Sequence, residues 1–216
     1  VYALSFASTR VIVDAGYEGT TQRSYLVYFD TSSNLHFAYS TTGSNNTDTI
    51  LGSTGVVTNS WIHVAVVRNG STVTPYLNGV AGTSQTAENL YATTKPLYIN
   101  YQDGQSSLLN GYLSNYRVVK GTAVYTNTFT PPSAPLTAIS GTSLLTLQNA
   151  TIIDNSTNAW SISNTGSVAM TSATVGTYST IANDSSGNSN NWTPNNIQAV
   201  TSSATTYDAM IEIGRA

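Results

Sequence analysis

Residues 61–79, WIHVAVVRNGSTVTPYLNG, decide the fold, because two strands and their turn can be read there without outside help. Positions 61–68 are β-branched and apolar, Asn69-Gly70 accepts positive φ at both positions of a type I′ turn, and positions 71–78 return to extended chemistry. A two-residue loop at Asn69-Gly70 pairs Ile62 with Leu77, Val64 with Pro75 and Val66 with Val73, all apolar. The opposite face carries His63 against Tyr76, Ala65 against Thr74 and Val67 against Thr72, so one side faces a core and the other is mixed. A longer loop shifts the register by two and keeps both faces. Pro75 lacks an amide donor, so the hairpin needs a bulge or longer loop there, or Pro75 faces an unpaired side.

Working outward, residues 24–30 (SYLVYFD) and 34–40 (NLHFAYS) flank the turn Thr31-Ser32-Ser33-Asn34 and predict a second hairpin. Residues 41–49 read as loop. Asn78-Gly79 makes a tight turn into a short strand, and residues 83–95 read as loop. Strands are expected at VYALSFAS and TRVIVDAG near the start, at 97–101, at 109–120 with a break at Gly111, and at 144–148. Between the last two, Pro131, Pro132 and Pro135 predict extended coil crossing the surface. Two or three short strand-like pieces follow residue 150, residues 182–196 carry turn and linker chemistry, and the end could form a strand or a helical turn. This divides the chain into a β-sandwich over 1–180 and an extension over 181–216, and the absence of a starting Met suggests a piece cut from something longer.

The chain has 216 residues, of which 40% are hydrophobic, enough for a core, and only 8% are charged. Ordinary soluble domains carry about 25% charge; here Ser, Thr, Asn and Gly take its place. A formal charge of −3 with seven scattered Lys and Arg offers phosphate backbones no basic patch, so nucleic acid is not an expected partner. No apolar run reaches the roughly 18 residues that a membrane helix needs. Cysteine is absent, which excludes disulfides, thiolate metal sites and a Cys nucleophile. Six N-x-S/T sequons are what chance gives in so Asn- and Thr-rich a chain.

Trp61, His63, Val64, Ala65, Tyr76, Asn78 and Gly79 resemble the signature of the concanavalin A-like lectin/glucanase sandwich in its laminin-G-like form. NGYLSNYRVVKGTAVYTNTFTPPSAPLTAISGTSLLTLQ is similar to the continuation of such domains in tailed-phage virion proteins, especially marine ones, and DSSGNSNNWTPNN is similar to a segment of large phage structural proteins. The resemblance covers residues 10–165 and does not match the family's opening strands. It implies an all-β, antiparallel sandwich of jelly-roll type. It also implies a non-enzymatic structural or decoration component of a virion, capsid or tail, touching other virion proteins in a multicopy assembly. The alternative is a carbohydrate-binding host-recognition module of a tail fibre or adhesin, with cell-surface glycan as its partner.

The candidate chemistry is weighed against plainer readings. Glycoside hydrolysis needs two carboxylates about 5 to 9.5 Å apart, and none of the three Glu forms the Glu-x-Asp-x-x-Glu strand motif of the family's hydrolases. His36 and His63 are the only histidines, with no nucleophile elbow, so His63 is expected to be structural, on the outer face beside Tyr76. The family's rim calcium maps by loop position to Asp14, Asn100 and Asp103, with Asp154-Asn155 as a second oxygen-bearing pair. Tyr17, Tyr39, Tyr101 and Trp160, read in or near loops, are the candidate contacts for carbohydrate or partner; the plainer reading is that they pack their rings and leave the polar ends wet. Exposed strand edges are expected to add to a neighbour's sheet.

Overall fold

The computed structural model describes residues 1–16, 22–44, 47–52, 56–87, 89–102, 107–149, 151–164, 168–169 and 211–215, with backbone alone for 47–52 and 211–215. These form an all-β sandwich without helices among the described residues. The strands are β1 (Tyr2–Ala3), β2 (Arg10–Ala15), β3 (Tyr25–Phe29), β4 (Leu35–Tyr39), β5 (Thr47–Gly52), β6 (Val64–Asn69) and β7 (Thr72–Leu77). They continue with β8 (Val80–Ala81), β9 (Gln85–Thr86), β10 (Leu97–Ile99), β11 (Gly111–Tyr112), β12 (Tyr116–Lys120), β13 (Thr142–Thr146) and β14 (Ile211–Arg215).

One sheet has the order β10-β2-β3-β4-β5 and is antiparallel throughout. The other has the order β13-β12-β14-β6-β7-β8, with β9 also on β7, and β1 pairs β11 in a small third ladder. The second sheet is antiparallel except at β14, which lies parallel to both β12 and β6. The end of the chain is thus a strand, one of the two forms its sequence allowed.

Alternation builds the core. Tyr25, Val27 and Phe29 of β3 and Leu35, Phe37 and Tyr39 of β4 point inward, against Val64 and Val66 of β6, Val73 of β7 and Tyr116 and Val118 of β12. The faces of the 61–79 hairpin are those the pattern predicts, but the register moves by two: Val64 faces Leu77, Val66 faces Pro75 and Asn69 faces Thr72. The loop is therefore Gly70-Ser71. Only Gly70 has positive φ, at 59°, the type II′ pattern rather than type I′.

This register resolves the conflict at Pro75. The Asn78 amide donates to the His63 carbonyl at 2.9 Å. Hydrogen-bonded pairs then alternate from there, leaving Val66 and Pro75 in a non-hydrogen-bonded pair. The missing donor points away from β6, into the gap between β8 and β9, where the Pro75 carbonyl still accepts from Gly82. Asn78 and Gly79, at φ of 50° and 79°, make the expected tight turn.

Several expectations change. Residues 47–49, the end of the expected 41–49 loop, open β5 on β4, and Gln85–Thr86 of the expected 83–95 loop form β9. The first expected strand shrinks to Tyr2–Ala3. The break in 109–120 falls later than Gly111: Asn115 takes a φ of 54° and its Oδ1 accepts from the Leu136 amide, which separates β11 from β12. Among the described residues of 151–164 no strand forms.

The mixed face of the hairpin is covered. Ala65, Val67 and Tyr76 are buried under Ala123, Tyr125 and Phe129, which belong to the proline-bearing crossing after β12. That crossing is coil, as expected, because prolines cannot supply ladder donors, but it lies on the sheet as a strap. Tyr125 and Phe129 stack at 3.6 Å and 5°, the Phe129 amide donates to the Gly79 carbonyl at 2.9 Å, and the Tyr76 hydroxyl donates to the Tyr125 carbonyl at 3.2 Å. Further along, Arg117 Nη1 donates to the Thr137 carbonyl at 2.7 Å.

Candidate functional site

Two surfaces gather the candidate residues. The first is the β10 side of the five-stranded sheet. Asp14 on β2 is the register partner of Tyr98 on β10. Just beyond β10, Asn100 adopts a φ of 57°, donates its amide to the Ile12 carbonyl at 2.9 Å and accepts the Leu109 amide on Oδ1 at 2.6 Å. Asn100 is thus a hinge post that turns the chain, and its turn presents Tyr101 edge-on to Tyr98 with centroids 5.3 Å apart.

The Leu109 bond brings residues 107–110 alongside. Val11 forms a parallel bridge with Leu108, Leu4 donates its amide to the Asn110 carbonyl at 2.8 Å, and Arg10 donates Nε to the Ser5 carbonyl and Nη1 to the Leu108 carbonyl. Leu4, Tyr101 and Leu108, 42%, 40% and 47% exposed, therefore sit on neighbouring pieces of chain, with Arg10 bonded to the Leu108 carbonyl.

The second surface is the β13 edge. Asp154 accepts on Oδ1 from the Leu145 and Ser156 amides and on Oδ2 from the Ser156 hydroxyl and the Trp160 amide, at 2.8 to 3.0 Å. Asn155 donates its amide to the Leu145 carbonyl, while Asn158 Nδ2 and Trp160 Nε1 donate to the Ser143 carbonyl at 3.0 and 3.1 Å. Asp154 is thereby a structural clasp. Burial alone would raise its pKa, but the three backbone amides and the Ser156 hydroxyl outweigh this and lower it. Trp160 remains 61% exposed, held by its backbone amide on Asp154 and its indole Nε1 on the Ser143 carbonyl.

Of the other candidates, Tyr39 is the last residue of β4, as the 34–40 strand predicts, but it is 6% exposed and stacked on Phe37, so its ring belongs to the core rather than to a contact surface. Asp14 is 1% exposed. Tyr17 and Asp103 lie outside the described residues, as do Glu18 and Glu88. The calcium reading thus retains Asp14 and Asn100, near one another across β2 and β10, with the Asn100 side-chain oxygen already accepting a backbone amide. Among the described residues no three His, Cys, Asp or Glu come together as a metal centre.

Two histidine environments complete the polar inventory. His36 stacks on Tyr28 at 4.6 Å, and its Nε2 lies 3.0 Å from Asp30 Oδ2. Asp30 also accepts from the Ser32 amide and from Asn34 through backbone and side chain. Burial would raise the Asp30 pKa, but these bonds hold it at about 2. His63 is fully buried, with Phe129 and Tyr125 edge-on at 5.3 and 6.1 Å, and neither ring nitrogen has a hydrogen-bond partner among the described residues. Burial first, then the positive charges of the Val1 amino group and Arg117, push its pKa down to about 3. His63 is therefore structural and on the outer face beside Tyr76, as the pattern suggested, but under the strap.

Comparison with family models matches residues 1–124 to the concanavalin A-like lectin/glucanases superfamily, in its laminin-G form. The chain belongs to that superfamily. The matched span holds the whole five-stranded sheet, the hairpin and the β10 surface, so this surface is part of a lectin-type domain, whereas the β13 edge lies beyond it. Comparison with curated proteins finds no match. Among solved structures, an S-layer domain-containing protein (residues 221–444) from Clostridium thermocellum matches at 21% identity with a TM-score of 0.21, over 57% of this chain and 59% of that one. The chain thus spans about three fifths of that structure's length.

Proposed function

We propose that this domain is a non-enzymatic structural or decoration component of a phage virion, on capsid or tail, working through protein–protein contacts in a multicopy assembly. The observation that carries the reading is that the exposed Leu4, Tyr101 and Leu108 stand on neighbouring pieces of chain tied together by backbone bonds, with Arg10 bonded to the Leu108 carbonyl. Aliphatic and aromatic side chains with one arginine, on a chain with only 8% charged residues, are the composition of an interface centre. The carboxylates with described side chains also favour a non-catalytic role: Asp30 and Asp154 shape turns, and Asp14 is buried.

The test is assembly. In purified particles an antibody against the domain should label regular positions, and Leu108→Asp should reduce its incorporation while leaving the isolated chain folded. Normal incorporation of Leu108→Asp, or particles lacking the chain, would overturn the reading. A second reading, recognition of neutral glycan on a cell surface, is favoured by the fixed, exposed ring of Trp160 and by the Tyr98–Tyr101 pair. Glycan-array binding by the isolated chain, lost in Trp160→Ala or Tyr101→Ala, would replace the purely structural reading with this one.

A further inference from the structure

Three Asn-Gly dipeptides occur, at Asn69-Gly70, Asn78-Gly79 and Asn110-Gly111, and the fold treats them differently. Asn69 is the exposed last residue of β6, and Gly70 opens the hairpin loop. A side chain added at Gly70 would meet nothing within 4 Å, so the tip is open where that side chain would stand. At the second dipeptide, Asn78 is held by its amide on the His63 carbonyl and its Oδ1 on the His63 amide, both at 2.9 Å, and Gly79 is wedged beneath the Phe129 carbonyl. At the third, the Asn110 carbonyl accepts from Leu4, and Gly111 sits against the Tyr2 carbonyl.

We propose that Asn69-Gly70 is a site of self-catalysed deamidation, while Asn78 and Asn110 are protected by their packing. The Gly70 amide nitrogen, losing its proton to hydroxide, attacks Asn69 Cγ. The new N–Cγ bond closes a succinimide as the Cγ–Nδ2 bond breaks, and Nδ2 leaves as ammonia. Water then opens either ring carbonyl, giving isoaspartate or aspartate, for a net exchange of one water for one ammonia. Glycine permits the attack because it has no side chain to obstruct the approach and can rotate freely. The product adds one negative charge to the formal −3 and, as isoaspartate, lengthens the backbone at the tip.

Asn69 is tied by its backbone alone, in its ladder pair with Thr72. Attack at Asn78 must also break the Oδ1 bond to the His63 amide and shift Gly79 from beneath the Phe129 carbonyl, which slows it by about tenfold or more relative to Asn69. The full chain, incubated at mildly alkaline pH and followed by tandem mass spectrometry with isoaspartyl methyltransferase labelling, should convert at Asn69 first. The same chain in urea gives the reference, since there all three dipeptides are equally free. Asn69 should convert in the folded chain within a few-fold of its urea rate, with Asn78 and Asn110 slowed by about tenfold or more. Asn69→Gln, on the exposed tip, should abolish the first conversion and leave the circular dichroism unchanged. Equal protection of all three, earlier conversion at Asn78 or Asn110, or persistent labelling in Asn69→Gln would overturn the proposal.

Discussion

His63 makes stability depend on pH in a way that can be isolated. Its ring is fully buried between β6 and the strap, and its pKa falls from 6.5 to about 3. A histidine whose folded pKa is depressed is neutral when folded, while the unfolded chain binds the proton between those two values. Stability is therefore complete above pH 6.5 and is lost as pH falls, by about 1.4 kcal/mol per unit, until the folded ring itself is protonated. Between neutrality and pH about 4.5 the loss comes to about 3 kcal/mol, a large part of the roughly 5–15 kcal/mol that holds a domain together.

The assay is urea unfolding of the parent and His63→Leu at a series of pH values, with His63→Phe as a second variant to cover the case where one side chain packs badly. The two orphaned ring nitrogens disappear in both, so neutral-pH stability should change little or rise, within the roughly 1–3 kcal/mol expected for repacking and for removing unsatisfied polar atoms. The acid slope should flatten by about 1.4 kcal/mol per unit. The buried Val1 amino group, lowered to about 4, acts in the same direction from its ordinary value of 8. It is common to all three proteins, so the difference between parent and variant removes it. If parent and variants lose stability in parallel from pH 7 to 4.5, the strap does not exclude water from the ring and the argument fails.

Other perturbations test the packing. Val64→Asp places a charge at a position with no exposure, among the core of both sheets, and should cost at least about 4 kcal/mol; soluble expression with cooperative melting near the parent midpoint would show that the hairpin faces are misassigned. Asp154→Ala removes the acceptor for three backbone amides and should cost about 2 kcal/mol while raising the mobility of Trp160, read by fluorescence anisotropy. Because the Asp154 pKa is depressed, its contribution is present above 3.8 and lost as pH falls through the lower folded value, so parent and variant should converge in strong acid. Gly79→Ala, at φ of 79° under the Phe129 carbonyl, should lower stability by about 2 kcal/mol or more and loosen the strap, detected as faster exchange at the Phe129 amide.

The hairpin shows what sequence can and cannot carry. A period of two fixes which side of Val64 and Val66 is buried, and any even register shift preserves it, so the faces were legible while the loop at Gly70-Ser71 was not. The same period places Tyr39 inside, in step with Leu35 and Phe37, a signal available to a stricter reading of that strand. Tyr125 and Phe129 had no such signal. They lie in coil, where no periodicity links a residue to the surface it covers, and proline content announces only that the segment cannot join a ladder. The Asp154 clasp is equally opaque, since a carboxylate collecting amides from Leu145, Ser156 and Trp160 depends on proximity in space, not on spacing.

That clasp bears on how the domain would meet a neighbour in the proposed assembly. An exposed edge strand invites addition of another chain, and the expectation was association through such edges. At β13, however, the Ser143 and Leu145 carbonyls and the Leu145 amide are already engaged by residues 154–160. At the other end of that sheet, β7 carries β8 and β9, each only two residues long and separated by the gap at Pro75. In the five-stranded sheet, β10 offers three residues before Asn100 turns the chain away. A ladder of that length gives a partner few main-chain bonds, each worth about 0.5–1.5 kcal/mol. At the β10 edge a proposed contact would therefore rest on side chains, with the exposed Leu4, Tyr101 and Leu108 nearby, whereas the six-residue β5 at the opposite edge keeps the length for strand addition. Leu108→Asp consequently discriminates between the two modes: strand addition would survive it, whereas a side-chain interface centred on this cluster would not.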